Sequence, residues 1–496
     1  VPTPKLEDKI IDGIKKHSKD IANNAGNIGV EAIHAGQSVA KNIINKDIMH
    51  TGKAIGSGVY NITKATVGTG IAVTKSAVSA VTFPYRRRRS FRDYFWHAKD
   101  GMIAGSADND PASIVTYTQV GVSTGLSQIW LLFISTPMLI AVEEMAARIG
   151  LVTKKGFNEI IREQFGKGWA YFLAILLIVC NIAVIGADMA GLSAVIGLIT
   201  GISWQIFLIP IAILFYLLLV RNKEASIGRF LFIITPIFLL YIITAIIIKP
   251  DWIHVLNNVF LPSFDNNLYY WMSALGLMGT TISPFILYWE TKEEVASQRT
   301  AMDIKKENKS ITIGMVYSNM AALFMIICGA MVIQKTGIVS IENADQAALA
   351  LKPLAGHFAT ILFALGILGA GLISIPILTT TTSYVVSETM GWKHGLNYKL
   401  KNAKGFYFVI FSALLFGAIL GLIDLKPMIM LFYSQIFQGI ISPILIIFLM
   451  LICNNKNIMG EYTNKKWTNF WSILAIIFML GAAGIMFWDI LIKFVL

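Results

Sequence analysis

Two textures divide the chain. Residues 1–82 mix Gly, Ala, Asn and Lys with no long apolar run, whereas from residue 83 onward apolar blocks follow one another between short polar loops. A hydrocarbon core about 30 Å thick needs about 20 apolar residues per helix. Blocks of that size fall at 101–125, 128–149, 168–200, 204–220, 228–248, 268–291, 310–334, 356–388, 406–423, 427–452 and 468–494, which predicts about eleven transmembrane helices. The expected class is an all-α polytopic membrane protein with its transport-sized membrane domain over 100–496. The tail 1–82 reads as flexible or weakly amphipathic. Its stretch GKAIGSGVYNITKATVGTGIAVTKSAVSAV (52–81) spaces lysines among small and β-branched residues, as a surface helix would. Gly and Thr are nevertheless poor helix formers.

Charge adds a direction to this pattern. The loops after the second, fourth, sixth, eighth and tenth blocks carry the lysines and arginines: Lys154, Lys155, Arg162 and Lys167; Arg221, Lys223 and Arg229; Lys292, Arg299, Lys305, Lys306 and Lys309; Lys393, Lys399, Lys401 and Lys404; Lys456, Lys465 and Lys466. The intervening loops are sparse in both residues. Positive loops stay on the cytoplasmic side, so the N-terminus is expected inside. The segment FPYRRRRSFRDYFWHAK (83–99) fits the same rule, with Arg86–Arg89 as an anchor beside the first span and as a contact for anionic lipids.

Composition agrees. Residues are 55% hydrophobic and only 14% charged, against roughly 25% charged in soluble domains. The net charge of +12 is explained by loop Lys and Arg and does not call for a nucleic-acid partner. Cys180, Cys328 and Cys453 lie far apart in or beside apolar runs and give neither a disulfide framework nor metal-ligand spacing. VPTPKLEDKI has no apolar core of a signal peptide. There is no Walker A pattern, no HExxH and no nucleophile–base pair, so no enzyme and no cofactor is expected.

The informative feature is a conflict inside the first block. GMIAGSADNDPASIVTYTQVGVSTG (101–125) sets Asp108, Asp110 and Pro111 where lipid tails should be. A charge at mid-membrane costs about 2.5 kcal/mol or more, and proline removes a backbone hydrogen bond. Either the Asp-Pro pair is a solvated turn outside the membrane, or the helix is interrupted and its freed carbonyls face protein or a wet cavity. A second interruption favours the latter. WMSALGLMGTTISPFILYWE (271–290) carries Pro284 among Gly279, Thr280, Thr281 and Ser283, and four uninterrupted blocks separate the two. Matching breaks in two halves point to a transporter built from two five-helix repeats, with its site at the breaks. A carboxylate beside freed carbonyls is a hard-oxygen cation site.

These residues carry a resemblance. Asp110-Pro111-Ala112-Ser113 with QVGVSTG (119–125), EEMAARIGLVTKKGF (143–157), Ile282-Ser283-Pro284 and SQIF (434–437) resemble signature stretches of the NRAMP divalent-metal transporters over nearly everything after residue 90. GSADNDPASI (105–114) and GTTISPFILYWETKEEV (279–295) are most similar to the NRAMP-related magnesium branch. The resemblance implies a LeuT-like fold, two inverted five-helix repeats plus an eleventh helix, in a bacterial plasma membrane.

It also implies a ligand set with departures. The family's aspartate stands as Asp110, its asparagine position holds Ser113, and its methionine position holds Ser283. The histidine after the sixth-helix proline is replaced by Phe285, and an acidic position on the third helix holds Gly156, while Glu159 is kept. Asp110 is the expected charged ligand, with Ser113, Ser283, the region of Thr280, and Gln435 completing the site. Asp108 and Thr281 are outer candidates, and Pro111 and Pro284 break the helices. Loss of the soft thioether permits Mg²⁺ and does not exclude Mn²⁺. The missing histidine and acid predict uncoupled, downhill uptake of Mg²⁺ and Mn²⁺. Of the remaining acids, Glu143, Glu144, Glu159, Asp188 and Glu290 read more naturally as interhelical or cavity residues than as a proton relay. The alternatives are a proton-coupled Mn²⁺/Fe²⁺ symporter and a Na⁺-coupled organic-solute carrier on the same fold, the latter disfavoured by the fixed charge of Asp110.

Overall fold

Proline and left-handed residues set the helix ends that matter here. The computed structural model describes residues 105, 108–221, 239–265, 267–297, 299–423 and 425–495. The tail 1–82, the basic segment 83–99 with Arg86–Arg89, and Lys223 and Arg229 lie outside the described residues.

The first span is broken. Gly105 is helical, Asp108, Asn109 and Asp110 are not, and helix α1 (Pro111–Thr124) restarts with Pro111 at its first position. Proline suits that position because the N–H it lacks would have no helical partner there. Helices α2 (Ile129–Thr153), α3 (Phe157–Gln164), α4 (Lys167–Thr200), α5 (Leu208–Arg221) and α6 (Leu239–Ile248) follow. The sixth span is broken in the same manner. Helix α8 (Leu268–Thr281) ends at Ile282, and α9 (Pro284–Ala296) starts with Pro284 in its first turn behind Ser283. Then come α10 (Ile304–Cys328), continued by one π turn over Gly329–Ile333, α11 (Ala359–Met390), α12 (Lys404–Gly421), α13 (Pro427–Asn454) and α14 (Lys466–Val495).

Among the described residues, eight helical segments are each long and apolar enough to cross a membrane. With the two broken spans and α6, they account for the eleven expected blocks. Two differences from the sequence pattern have local causes. Helix α7 (Trp252–Phe260), read above as loop, bends 120° away from α6. Lys249 takes a left-handed φ of 50°, Pro250 stops the preceding helix, and Asp251 caps the next by accepting the N–H groups of Ile253 and His254. The seventh span begins at Ile304 rather than 310, because its first turns are polar and invisible to an apolar scan. The preceding turn is fixed by a reciprocal capping box between Thr300 and Asp303.

The helices fall into two groups. The first two spans of each half, α1 with α2 and α8–α9 with α10, pack on one another; the third and fourth, α4 with α5 and α11 with α12, form a second set. That division is the one two five-helix repeats require. Helix α13 bridges them, packing on α1, α4 and α8. It approaches α8 so closely that a Cβ on Gly279 would lie 2.0 Å from the Gln435 carbonyl oxygen, and one on Gly439 would lie 2.4 Å from that of Leu275. Small residues at such crossings let backbones touch, which replaces the hydrophobic driving force that lipid cannot supply.

Candidate metal site at two facing helix breaks

The two breaks meet. Asp110 is the N-cap of α1, its carboxylate accepting the Ser113 N–H. An anionic cap at a helix N-terminus is favoured by the free N–H groups and dipole there. On the other side, Nε2 of Gln435 on α13 donates to both Asp110 oxygens at 3.4 Å. The Ser113 hydroxyl donates to the Asp108 carbonyl at 2.8 Å and accepts from the Thr280 hydroxyl of α8. The Ser283 hydroxyl has Oδ1 of Asp108 and the Thr280 carbonyl both at 3.0 Å. Hydroxyls from one repeat are thus joined to the carboxylate segment of the other.

All of these side chains are buried: Asp108 is 2% exposed, Asp110 1%, Ser283 1%, and Ser113, Thr280 and Gln435 0%. Asp108, Asp110, Ser113, Ser283, Thr280 and Gln435 are therefore brought into one buried network. Thr281 is turned elsewhere. Its hydroxyl lies 2.7 Å from the Leu277 carbonyl and 3.1 Å from the Tyr117 hydroxyl. Pro111 and Pro284 stand at the restart of each helix. Met278 is packed in the apolar core, and every side-chain donor or acceptor atom in the network is oxygen or nitrogen.

Two members, Asn109 and Ser442, were not singled out from the sequence, and a third, Asp188, was not placed at the site. Asn109 donates to the Gly105 carbonyl at 3.0 Å and to Ser318 of α10 at 2.8 Å, pinning the break to its own group of helices. Its signal was its place between two aspartates. Asp188 of α4, expected to make interhelical bonds, does so: Oδ1 accepts the Ala112 N–H at 3.2 Å and Oδ2 the Ser374 hydroxyl at 2.9 Å. It thereby holds the start of α1 against the second group. Ser442 of α13 donates to the Ile282 carbonyl at 2.7 Å, satisfying a group freed by the second break.

The position of Gly156 also acquires a reason. A Cβ there would lie 2.1 Å from Oε1 of Glu388. That carboxylate, on α11, pairs with Lys292 of α9 at 2.9 Å. Glu388 thus fills the space that a side chain at 156 would need. Lys292 also stands 5.1 Å from the centroid of the Tyr384 ring. Glu144 pairs with Arg148 at 3.9 Å, while both carboxylate oxygens of Glu143 are buried with no hydrogen-bond partner among the described residues.

Comparison with known proteins places this arrangement. The chain is 26% identical over 392 residues to the divalent metal cation transporter MntH of Bacillus subtilis, covering 76% of this chain and 88% of that protein. It is 23% identical over 385 residues to MntH of Klebsiella pneumoniae, covering 75% and 89%. Among solved structures, a manganese transporter of Eremococcus coleocola superposes with a TM-score of 0.63 at 18% identity, over 79% of this chain and 86% of that one. MhsT, solved with L-phenylalanine, superposes at 0.53 and 12% identity, over 78% and 98%. The fold is therefore LeuT-like, as the resemblance implied. Residues 101–489 match the model of the natural resistance-associated macrophage protein-like family, and the chain belongs to that family, Nramp.

Proposed function

We propose that this membrane transporter carries Mg²⁺ and Mn²⁺ by alternating access through the site at Asp110, without proton coupling, and that its Lys-rich end faces the cytoplasm. Divalent-metal transport is the activity named for its MntH relatives; the choice of ion and the uncoupled mode are the finer reading. One observation carries it. Asp110 accepts from the Ser113 N–H and the Gln435 amide, and the hydroxyls of Ser113, Thr280 and Ser283 join the same buried network through Ser113 and Asp108, with no thioether in the set. Hard oxygen donors suit Mg²⁺ and Mn²⁺, whereas sulfur selects softer metals.

Unpartnered oxygens support a cation with attached water. Oδ2 of Asp108, Oδ1 of Asn109 and Oε1 of Gln435 are buried with no hydrogen-bond partner among the described residues. Leaving such a group unpaired costs about 1–3 kcal/mol, and a hydrated divalent ion supplies the missing charge and donors. Mg²⁺ usually keeps several waters. The ion would enter down the membrane potential, which favours each charge by about 2.3 kcal/mol per 100 mV. One group of helices would rock against the other around the site.

Uncoupled transport is supported by Phe285, which is apolar and buried. Mn²⁺ influx into proteoliposomes containing a pH-sensitive dye tests the whole reading. Mg²⁺ is expected to compete with Mn²⁺, and the lumen pH to stay constant. Metal-driven acidification would turn the reading to a proton-coupled Mn²⁺/Fe²⁺ symporter. Competition by an amino acid would turn it to a Na⁺-coupled organic-solute carrier.

A further inference from the structure

Two polar faces lead from the candidate site toward the Lys-rich end. On α11, Ser374, Thr381 and Glu388 recur every seven residues and so share one face over about 21 Å. Ser374 is bonded to Asp188, which grips the start of α1. On α9, which packs against α11, Tyr288 and Lys292 lie four residues apart on one face, beginning five residues beyond Ser283. Thr381 and Tyr288 are 1% and 4% exposed, and the hydroxyl oxygen of each has no hydrogen-bond partner among the described residues. Buried hydroxyls are rarely left so, because the loss of water is then uncompensated. A seam that fills with water in another state of the protein accounts for both.

Two contacts close the far end of this seam. Phe157 of α3 meets the Tyr288 ring edge-on, with centroids 4.9 Å apart and both residues buried. One turn further along α9, the Lys292 ammonium donates to Oε1 of Glu388 at 2.9 Å. Nδ1 of His394 lies 2.8 Å from the Trp392 carbonyl and carries the proton, so Nε2 accepts from Lys292 at 3.0 Å. Glu388 is anchored in turn, since Arg162 of α3 donates to its carbonyl at 2.9 Å. Lys292 therefore stands on the group of broken helices, and its carboxylate partner on the other group. Such a tie must part when one group rocks away from the other at this end. Its charges also bear on the cargo. The ammonium repels a departing cation, and the carboxylate it covers attracts one.

We propose that the ion leaves along the seam between α9 and α11, and that the Lys292–Glu388 pair is the charged closure of this exit. The passage of an ion rests on the transport reading above, whereas the closure is measurable without metal.

Reaction of a cysteine on the seam with a membrane-impermeant maleimide tests the closure, using the full chain in membrane vesicles. Lys399 is exposed in the loop after α11, and vesicles in which Lys399→Cys reacts present the Lys-rich end. From that side Thr381→Cys is expected to react slowly. Adding Lys292→Met or Glu388→Gln should speed the reaction at least tenfold, and Lys292→Arg, which keeps the cation, should leave it slow. Either neutral variant serves if the other fails to fold, and an unchanged rate in the neutral variants would overturn the closure. So would an equal rise at Cys453, which is buried near the same end of α13, because that marks general loosening. Modified Thr381→Cys carrying Lys292→Met should also lose Mn²⁺ uptake, and uptake at the unmodified rate would overturn the exit path. Because the labelling uses no metal, a failed closure and a failed central site are told apart.

Discussion

The two helix breaks are related by the repeat but built of different material. The first exposes three consecutive polar residues, Asp108, Asn109 and Asp110, and is tied outward to Ser318 on α10 while Asp188 on α4 grips its restart. The second is only Ile282 and Ser283, carries no charge, and is held by backbone: Ser442 on the Ile282 carbonyl, and Gly279 pressed on the Gln435 carbonyl. A full charge at mid-membrane costs about 2.5–3.5 kcal/mol on insertion scales. Charge is therefore concentrated in one break and neutral oxygen in the other. Under the proposed function, the first break sets how strongly a cation is held and the second sets which cation is preferred.

The largest effect should come from loosening the second break. A valine at Gly279 would drive its Cβ into the α13 backbone, since even one methyl sits 2.0 Å from an oxygen. Overpacking of that kind costs about 3 kcal/mol or more when backbone must move. Gly279→Val should lose much of its folded fraction and unfold at lower temperature. Gly481→Val, at a position with nothing within 4 Å, should leave the unfolding temperature unchanged. Equal behaviour of the two variants would show that close backbone contact does not hold the second break.

Next in size is the charge of the first break. Asp110→Asn keeps the shape and can still cap α1, but removes the anion. A lost charge-assisted contact is worth about 2–3 kcal/mol, or roughly 100-fold in Kd. Mn²⁺ and Mg²⁺ binding should weaken by about that factor together. Weakening of one metal alone would mean that the first break also selects. The converse test is Ser283→Met, which restores sulfur to the second break. The ratio of Mn²⁺ to Mg²⁺ affinity is expected to rise about tenfold, near 1.4 kcal/mol. Unchanged Mg²⁺ competition would remove the second break from selectivity.

Much of this difference was legible in the chain, and the limits were physical. Asp110-Pro111 and Ser283-Pro284 announce their breaks because charge and proline conflict with lipid on their own. The spans follow from apolar length, and Asp188 was visible as a buried acid in a long apolar block. What the sequence could not convey was approach between residues far apart along it. Gly156 looked like a missing acid, yet its space is filled by Glu388, more than two hundred positions later. Helix α7 escaped because a short amphipathic helix has too few apolar residues to register in a scan for spans. Thr281 was grouped with its neighbours by position alone, and helix geometry turns its hydroxyl away from them.

Thr281 provides the finest test of how the second break is organised. Its hydroxyl reaches the Leu277 carbonyl one turn back and the Tyr117 hydroxyl of α1. It thus joins the two broken helices beside the candidate site without pointing into it. Thr281→Val keeps the β-branch and nearly the same volume, so the change is confined to the lost hydrogen bonds, worth about 1 kcal/mol. Thermal stability should fall by that small amount, while Mn²⁺ and Mg²⁺ affinities stay within about twofold, less than 0.5 kcal/mol. Tyr117→Phe should behave alike, and the double variant should lose less than the two single changes added, because both delete the same contact. A tenfold loss of metal affinity in Thr281→Val would instead make Thr281 part of the coordinating shell. The oxygen set of the second break would then extend a residue further toward α8 than the hydrogen bonds indicate.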